Sequence, residues 1–398
     1  MNAPSKLHAS CAHQPLLFDL EPLTCCQTDH VLDGLYKALG DSPDTVIWQP
    51  HHDPWQRDHV EAVTTRVNDR VNAIRDAITM AVAEADPNPL RKAESPWQRW
   101  ARADFDRVRD YLAAKPRADY TLDDWMLYVD WLIQEYLPEG VIATEAEYLA
   151  VRAQIAGKVN ATLEARKLTP VNVSKILAVL PHQFSQVPTG VLTEREAHIL
   201  RFANRETANL ITALTAKTQQ QMKAVLINGI RRITLGDKQG TWQKLYSELF
   251  DTFGDLNRDF RRIAITETGN ATNVGYLSTF KPGQKVKREE SYTGACPYCA
   301  SIRGRVLTVV ADDKEPKDWD NEVWPSKNNI GRSASTRKRV GGVLIPRTPD
   351  ELWSIPAGLV HCHCRGSWSS ADHPPGMSNE YQMWLRGLLV EAGLPATV

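Results

Sequence analysis

The chain has 398 residues, 24% of them charged and 42% hydrophobic, with a formal net charge of −1. It is long enough for two or three cores and has no overall attraction to nucleic acid or membrane, so any such contact must come from a local patch. No apolar run approaches the roughly 18 residues of a membrane helix, and residues 1–10 lack the apolar stretch of a secretion signal, which predicts a cytoplasm-like compartment.

Seven cysteines, odd in number and gathered towards the two ends, do not read as a disulfide framework. Residues 1–54 carry scattered prolines and no sustained period, which predicts an irregular arm. Cys11, Cys25 and Cys26 read as free thiols there, and His51, His52 and His59 as ordinary loop histidines rather than metal ligands.

Residues 55–190 read as a helical domain. Val60, Val63, Val67, Val71, Ile74, Ile78 and Val82 recur in steps of three and four, a helical stripe that Pro87 and Pro89 end. Further helices are expected from Ser95 to Ala114, from the N-cap Thr121 to Pro138, from Thr144 to Lys167 and from Val171 to Leu180. The aromatic stretch 125–136 reads as core.

Residues 191–280 read as a long helical hairpin. Thr193 and Glu196 form a capping box, and the inward positions are Leu200, Ala203, Thr207, Leu210, Leu214, Thr218, Met222, Val225 and Ile233. Gly236 and Gly240 turn the chain, and Thr241 caps a return helix whose stripe is Leu245, Leu249, Phe253, Leu256, Phe260 and Ile263. The two helices should pack antiparallel. Glu267 then falls on the apolar seam. A carboxylate there needs a partner, and the expected one is Arg365, where a cysteine module docks on the helix.

In residues 281–370 the character changes. The segments 285–288, 305–310 and 342–345 suit small strands. Residues 323–349 contain Lys327, Arg332, Arg337, Lys338, Arg339 and Arg347 without one acid. This predicts a flexible basic loop, with the first five as candidate nucleic-acid contacts. Residues 371–398 form a tail whose helix, 379–391, offers Met383, Leu385, Leu388 and Leu389 to the body or to a partner.

The module centres on Cys296-Pro-Tyr-Cys299, answered by His361-Cys362-His363-Cys364-Arg365. Cys296, Cys299, His361 and Cys364 make a tetrahedral Zn²⁺ set, with Cys362 and His363 as alternates. Four protein ligands close the shell and leave no position for water, so a structural site is expected. The rival reading is a zinc-knuckle nuclease that uses His363. As a whole the chain reads as mainly α: long antiparallel helices with a small zinc-stapled α+β module near the C-terminus.

The run Arg262-Ile-Ala-Ile-Thr-Glu-Thr268, then Asn273 and Gly275, then Cys296-x-x-Cys299 with Gly304, then His361-x-x-Cys364-Arg365 resembles the phage Mu protein F family of head-morphogenesis, or minor head, proteins. The resemblance covers about residues 195–370. That family typically shows an A-R-T-E segment ending a long helix, a C-x-x-C knuckle followed by Gly, and a closing H-P-N-C-R-C. Here Ile265 stands in the place of Arg, Cys362-His363 replace Pro-Asn, and Gly366 falls where the second closing cysteine would be, with Cys362 as its stand-in. The acid and the tryptophan that usually precede the knuckle have no counterpart at their places in 289–295. The resemblance implies a structural protein and not an enzyme, a minor capsid component near the portal. Its implied partners are the portal protein, the major capsid or scaffold protein, and packaged DNA through the basic loop. Its implied location is the host cytoplasm during assembly and then the procapsid or virion head.

Overall fold

The computed structural model describes residues 54–85, 104–165, 173–238, 240–290, 295, 297–311, 318, 321–325, 337–341, 343–346, 355–360, 364–371 and 378–395. The expected arm, with its three cysteines, and the expected start of the second helix at Ser95 lie outside them.

The helices are α1 (Pro54–Glu84), α2 (Phe105–Ala114), α3 (Leu122–Tyr136), α4 (Glu139–Ala165), α5 (Val173–Ala178), α6 (Glu194–Thr234), α7 (Trp242–Leu277), the short α8 (Pro297–Ile302) and α9 (Asn379–Glu391). The protein is mainly α, with a small mixed sheet near the C-terminus. Strands β1 (Lys285–Glu289), β2 (Val306–Val309), β3 (Glu322–Val323) and β6 (Ser367–Ser370) form that sheet in the order β3-β2-β1-β6. β1 is antiparallel to both neighbours, with Val286 opposite Leu307 and Arg288 opposite Trp368, and β2 is parallel to β3.

Local chemistry explains the helix starts. Thr121 with Asp124 and Thr193 with Glu196 close full capping boxes, and Thr241 accepts from the Lys244 amide. α4 begins at Glu139, directly after Pro138, and not at Thr144. The Thr144 hydroxyl instead donates back to the Gly140 carbonyl at 2.9 Å within the helix. In α6 the stripe runs through Leu200, Thr207, Ile211, Leu214, Thr218, Met222, Leu226 and Ile230. Leu210, Val225 and Ile233, expected inward, are only half-buried, because the helix presents the neighbouring positions to its partner.

α1, α3, α6 and α7 share one core, in which Val63, Val71, Ile78, Leu132, Met222, Leu226, Phe253 and Phe260 meet. The aromatic stretch is core as expected, with Tyr120 packing edge-on to both Trp125 and Tyr128. His59 is no loop residue. It is buried in α1, stacked on Trp55 at 5.1 Å, with Nε2 3.4 Å from the Leu149 carbonyl. In α9, Leu385, Leu388 and Leu389 pack on α4 and α5, whereas Met383, also expected to be apolar contact, is exposed.

α4 and α7 cross with their backbones in contact. A Cβ on Gly157 would sit 1.9 Å from the Thr272 carbonyl oxygen, and one on Gly275 would sit 2.0 Å from the Gln154 carbonyl oxygen. No side chain fits between them. From Ala264 to Leu277 every residue of α7 is buried, although the stretch is rich in Thr, Asn and Gly. It runs between the helical body and the sheet module. A second joint lies beside it. Lys158 donates to Glu196 Oε2 at 2.8 Å and to the Val191 carbonyl at 2.9 Å, and its ammonium lies 4.5 Å from the centre of the Tyr381 ring. Burial pulls the Lys158 pKa down against the pull of Glu196.

The basic stretch is not simply a loop. Arg337–Val340 is a strand, β4, paired with β5 (Val343–Pro346) around a turn in which Gly341 has φ +56°. Lys327 and Arg332 lie outside the described residues.

Gly275→Ala is expected to destabilise the protein by about 3 kcal/mol or more, the upper end of overpacking. Gly254→Ala in the same helix, where a Cβ meets nothing within 4 Å, should be neutral or stabilising by up to about 1 kcal/mol. Urea unfolding separates the two, and equal midpoints would argue against the backbone contact. Burial first, and then the Arg152 charge, push the His59 pKa from 6.5 down to about 3. Between these values the unfolded chain binds the proton and the folded one does not, so stability falls as pH falls. The expected loss is about 2 kcal/mol between about pH 7 and about pH 5, and His59→Gln should remove that slope in pH-dependent unfolding.

Candidate metal centre

The period of two in β1 turns Val286 and Arg288 to the core, and the same alternation carries on to Glu290. After α8, Gly304 takes φ +78°, and its amide donates to the Arg288 carbonyl, which returns the chain alongside β1. This brings Cys299 under the sheet. Cys364 arrives just before β6. All four side chains, Arg288, Glu290, Cys299 and Cys364, are buried, with at most 2% of their surface exposed.

Arg288 Nε donates to Glu290 Oε1 at 2.8 Å, and Nη1 donates to the Gly358 carbonyl at 2.9 Å. The guanidinium also lies 5.1 Å from the centre of the Trp368 ring, whose Nε1 donates to the Ala357 carbonyl. Burial works against the charge of Arg288, but Glu290 and the two sulfur atoms outweigh it and hold the pKa above the usual arginine value. The Cys299 and Cys364 sulfurs are 3.8 Å apart and are not joined in a disulfide. Cys364 Sγ lies 3.7 Å from Glu290 Oε2 and 3.9 Å from Oε1.

One oxygen of Glu290 and the two sulfurs lie within 4.8 Å of one another, so the group could hold a metal ion. The charges allow it. Arg288 and Glu290 cancel, and a divalent ion with two thiolates adds a further pair of equal and opposite charges, so no net charge is left in a buried place.

α7 fixes the loops around the centre. Asn270 Oδ1 accepts the Leu359 amide at 2.8 Å, and Asn273 Nδ2 donates to the Gly366 carbonyl at 2.8 Å. Tyr276 donates to Glu164 Oε2 at 2.6 Å, and the other Glu164 oxygen accepts the Ser370 amide at 3.3 Å, which ties α4 to β6.

Of the expected ligands, Cys299 and Cys364 are brought together across 65 positions of chain. Cys296 and His361, with the alternates Cys362 and His363, lie outside the described residues. Glu290 was not anticipated, although its place two residues beyond Arg288 on an alternating strand marks it as inward. Glu267 is buried and accepts from Asn270 Nδ2 at 3.4 Å, and Arg365 is half-buried beside Cys364. Arg337, Lys338 and Arg339 are on β4, away from the four-stranded sheet in sequence and in pairing.

Arg288→Met would leave Glu290 charged in a dry place, and a loss of about 3–5 kcal/mol is expected. Thermal or urea unfolding reads it, and a loss under about 1 kcal/mol would mean that water reaches the carboxylate. No helix among the described residues is long and apolar enough to cross a membrane. No family model, curated protein or solved structure matches the chain.

Proposed function

We propose that this chain is a structural minor head protein of a tailed phage or prophage, acting in head morphogenesis near the portal, with its cysteine centre serving as a Zn²⁺ clasp and not as a catalyst. One observation carries the reading. Cysteines from the two separate halves of the expected motif meet beside the Thr- and Asn-rich end of α7, the element that precedes the knuckle in the Mu F-like order. Zinc suits the centre: two thiolates about 2.3 Å from a tetrahedral ion lie about 3.8 Å apart, and the sulfurs here are 3.8 Å apart.

Bound zinc would staple the end of β1, α8 and the segment before β6 to one another and supply folding energy to a module with a modest core of its own. In this reading Glu267 pairs with Arg365 at the docking face. The chain contacts the portal protein and the coat or scaffold, and the β4–β5 ribbon with its flanking lysine and arginines reaches packaged DNA. It acts in the host cytoplasm during assembly and stays with the procapsid or virion head.

Mass spectrometry of purified procapsids and virions from the producing host is the test. The chain is expected in the procapsid fraction, with about one zinc per chain in the isolated protein. Absence from both particles would overturn the assignment.

A further inference from the structure

We infer that Glu290 is itself a metal ligand of the centre, through Oε2, and that Arg288 is the positioning residue that aims it. This rests on the clasp reading above but names a ligand that the cysteine and histidine motif does not contain. The centre is then a dithiolate–carboxylate site.

Distances around Cys364 support the assignment. A thiolate at about 2.3 Å and a carboxylate oxygen at about 2.1 Å from one tetrahedral ion are about 3.6 Å apart. Cys364 Sγ and Glu290 Oε2 are 3.7 Å apart. Both separations from Cys364 Sγ are thus those of neighbouring ligands on one ion, and all three groups lie within 4.8 Å of one another.

The two carboxylate oxygens have different neighbours. Oε1 is held by Arg288 Nε at 2.8 Å. Oε2, the oxygen that Nε does not hold, is the one nearer Cys364. A ligating carboxylate is commonly oriented in this way by a hydrogen bond to its other oxygen. The Arg288 guanidinium is in turn fixed by Gly358 and stacked on Trp368. The arrangement also explains why an ion pair is buried here at all. Arg288 and Glu290 could satisfy each other at the surface at lower desolvation cost, yet their contact is placed against two sulfur atoms.

Space around the carboxylate is tight. A Cβ on Gly366 would lie 2.0 Å from Glu290 Oε1 and 2.4 Å from Arg288 Nη2. Any side chain at position 366 is excluded because the ion pair fills its volume. The carboxylate is therefore packed directly against the backbone two residues after Cys364. The two sulfurs set the class of ion: a borderline-soft divalent metal such as Zn²⁺, Cd²⁺ or Co²⁺, and not Mg²⁺ or Ca²⁺.

The test uses Co²⁺ as the probe on the whole chain, purified reduced and stripped with a chelator. The unmodified chain should show thiolate-to-cobalt charge transfer and the visible bands of a tetrahedral ion. Glu290→Gln should weaken Co²⁺ binding by at least about tenfold and shift the visible bands. Since that variant leaves Arg288 unpaired, Arg288→Met/Glu290→Cys removes both charges together and offers a thiolate at the same place. It should bind Co²⁺ with charge-transfer intensity raised by one thiolate. If both variants bind with the affinity and spectrum of the unmodified chain, Glu290 is not a ligand and the clasp stands without it. If the unmodified chain shows no charge transfer, the clasp reading falls, and this inference with it.

Discussion

The contact between α4 and α7 at Gly157 and Gly275 is the constraint on which the other elements depend. Two helices that touch through their backbones leave no room for adjustment, so the crossing sets how α7 is rotated about its own axis. That rotation decides what α7 offers on its far side. Asn270 and Asn273 are delivered to the module, where they hold the backbone at Leu359 and Gly366, and Gly269 lies under the Leu359 side chain. The candidate metal centre is therefore positioned from behind by a helix that supplies none of its Glu290, Cys299 and Cys364 side chains.

Two of the buried ion pairs lie at joints between elements. Lys158 with Glu196 links α4, the start of α6 and α9, while Ser278 at the end of α7 donates to the second Glu196 oxygen at 3.2 Å. Arg288 with Glu290 links β1 to the loop before β6. The energetic return of such a pair over an apolar substitute is small, and its geometric demand is high. It defines which elements meet more sharply than it raises stability. Glu196 shows the economy of the device, because the carboxylate that closes the α6 capping box also receives Lys158.

Much of this was legible in the sequence. The caps at Thr121, Thr193 and Thr241 and the stripes of α1, α6 and α7 are local signals, and they mark their helices to within a few residues. The spacing of Cys299 and Cys364 within paired clusters pointed to a shared centre. What could not be read was non-local. Gly157 and Gly275 look like ordinary weak points in a helix until the partner backbone is known. The β6 segment, Ser-Trp-Ser-Ser, has no β-branched residue and becomes a strand because β1 offers it an edge. Arg337–Val340 reads as charge, and its pairing with β5 is visible only as register. Glu290 was overlooked because carboxylates next to an arginine are usually surface pairs; only the pleat of β1 turns this one inward.

The meeting of Cys299 and Cys364 closes a long excursion of the chain at its base. The entropy of closing a loop rises only with the logarithm of its length, so each doubling adds about 0.6 kcal/mol. A clasp of this kind is thus nearly indifferent to how much chain is carried between its two jaws. This tolerance belongs to the β4–β5 ribbon, which pairs only with itself, and not to β2, β3 or residues 355–360, which are built into the sheet and the core. The base itself admits no such drift: one methyl group at Gly366 would collide with the Arg288–Glu290 pair.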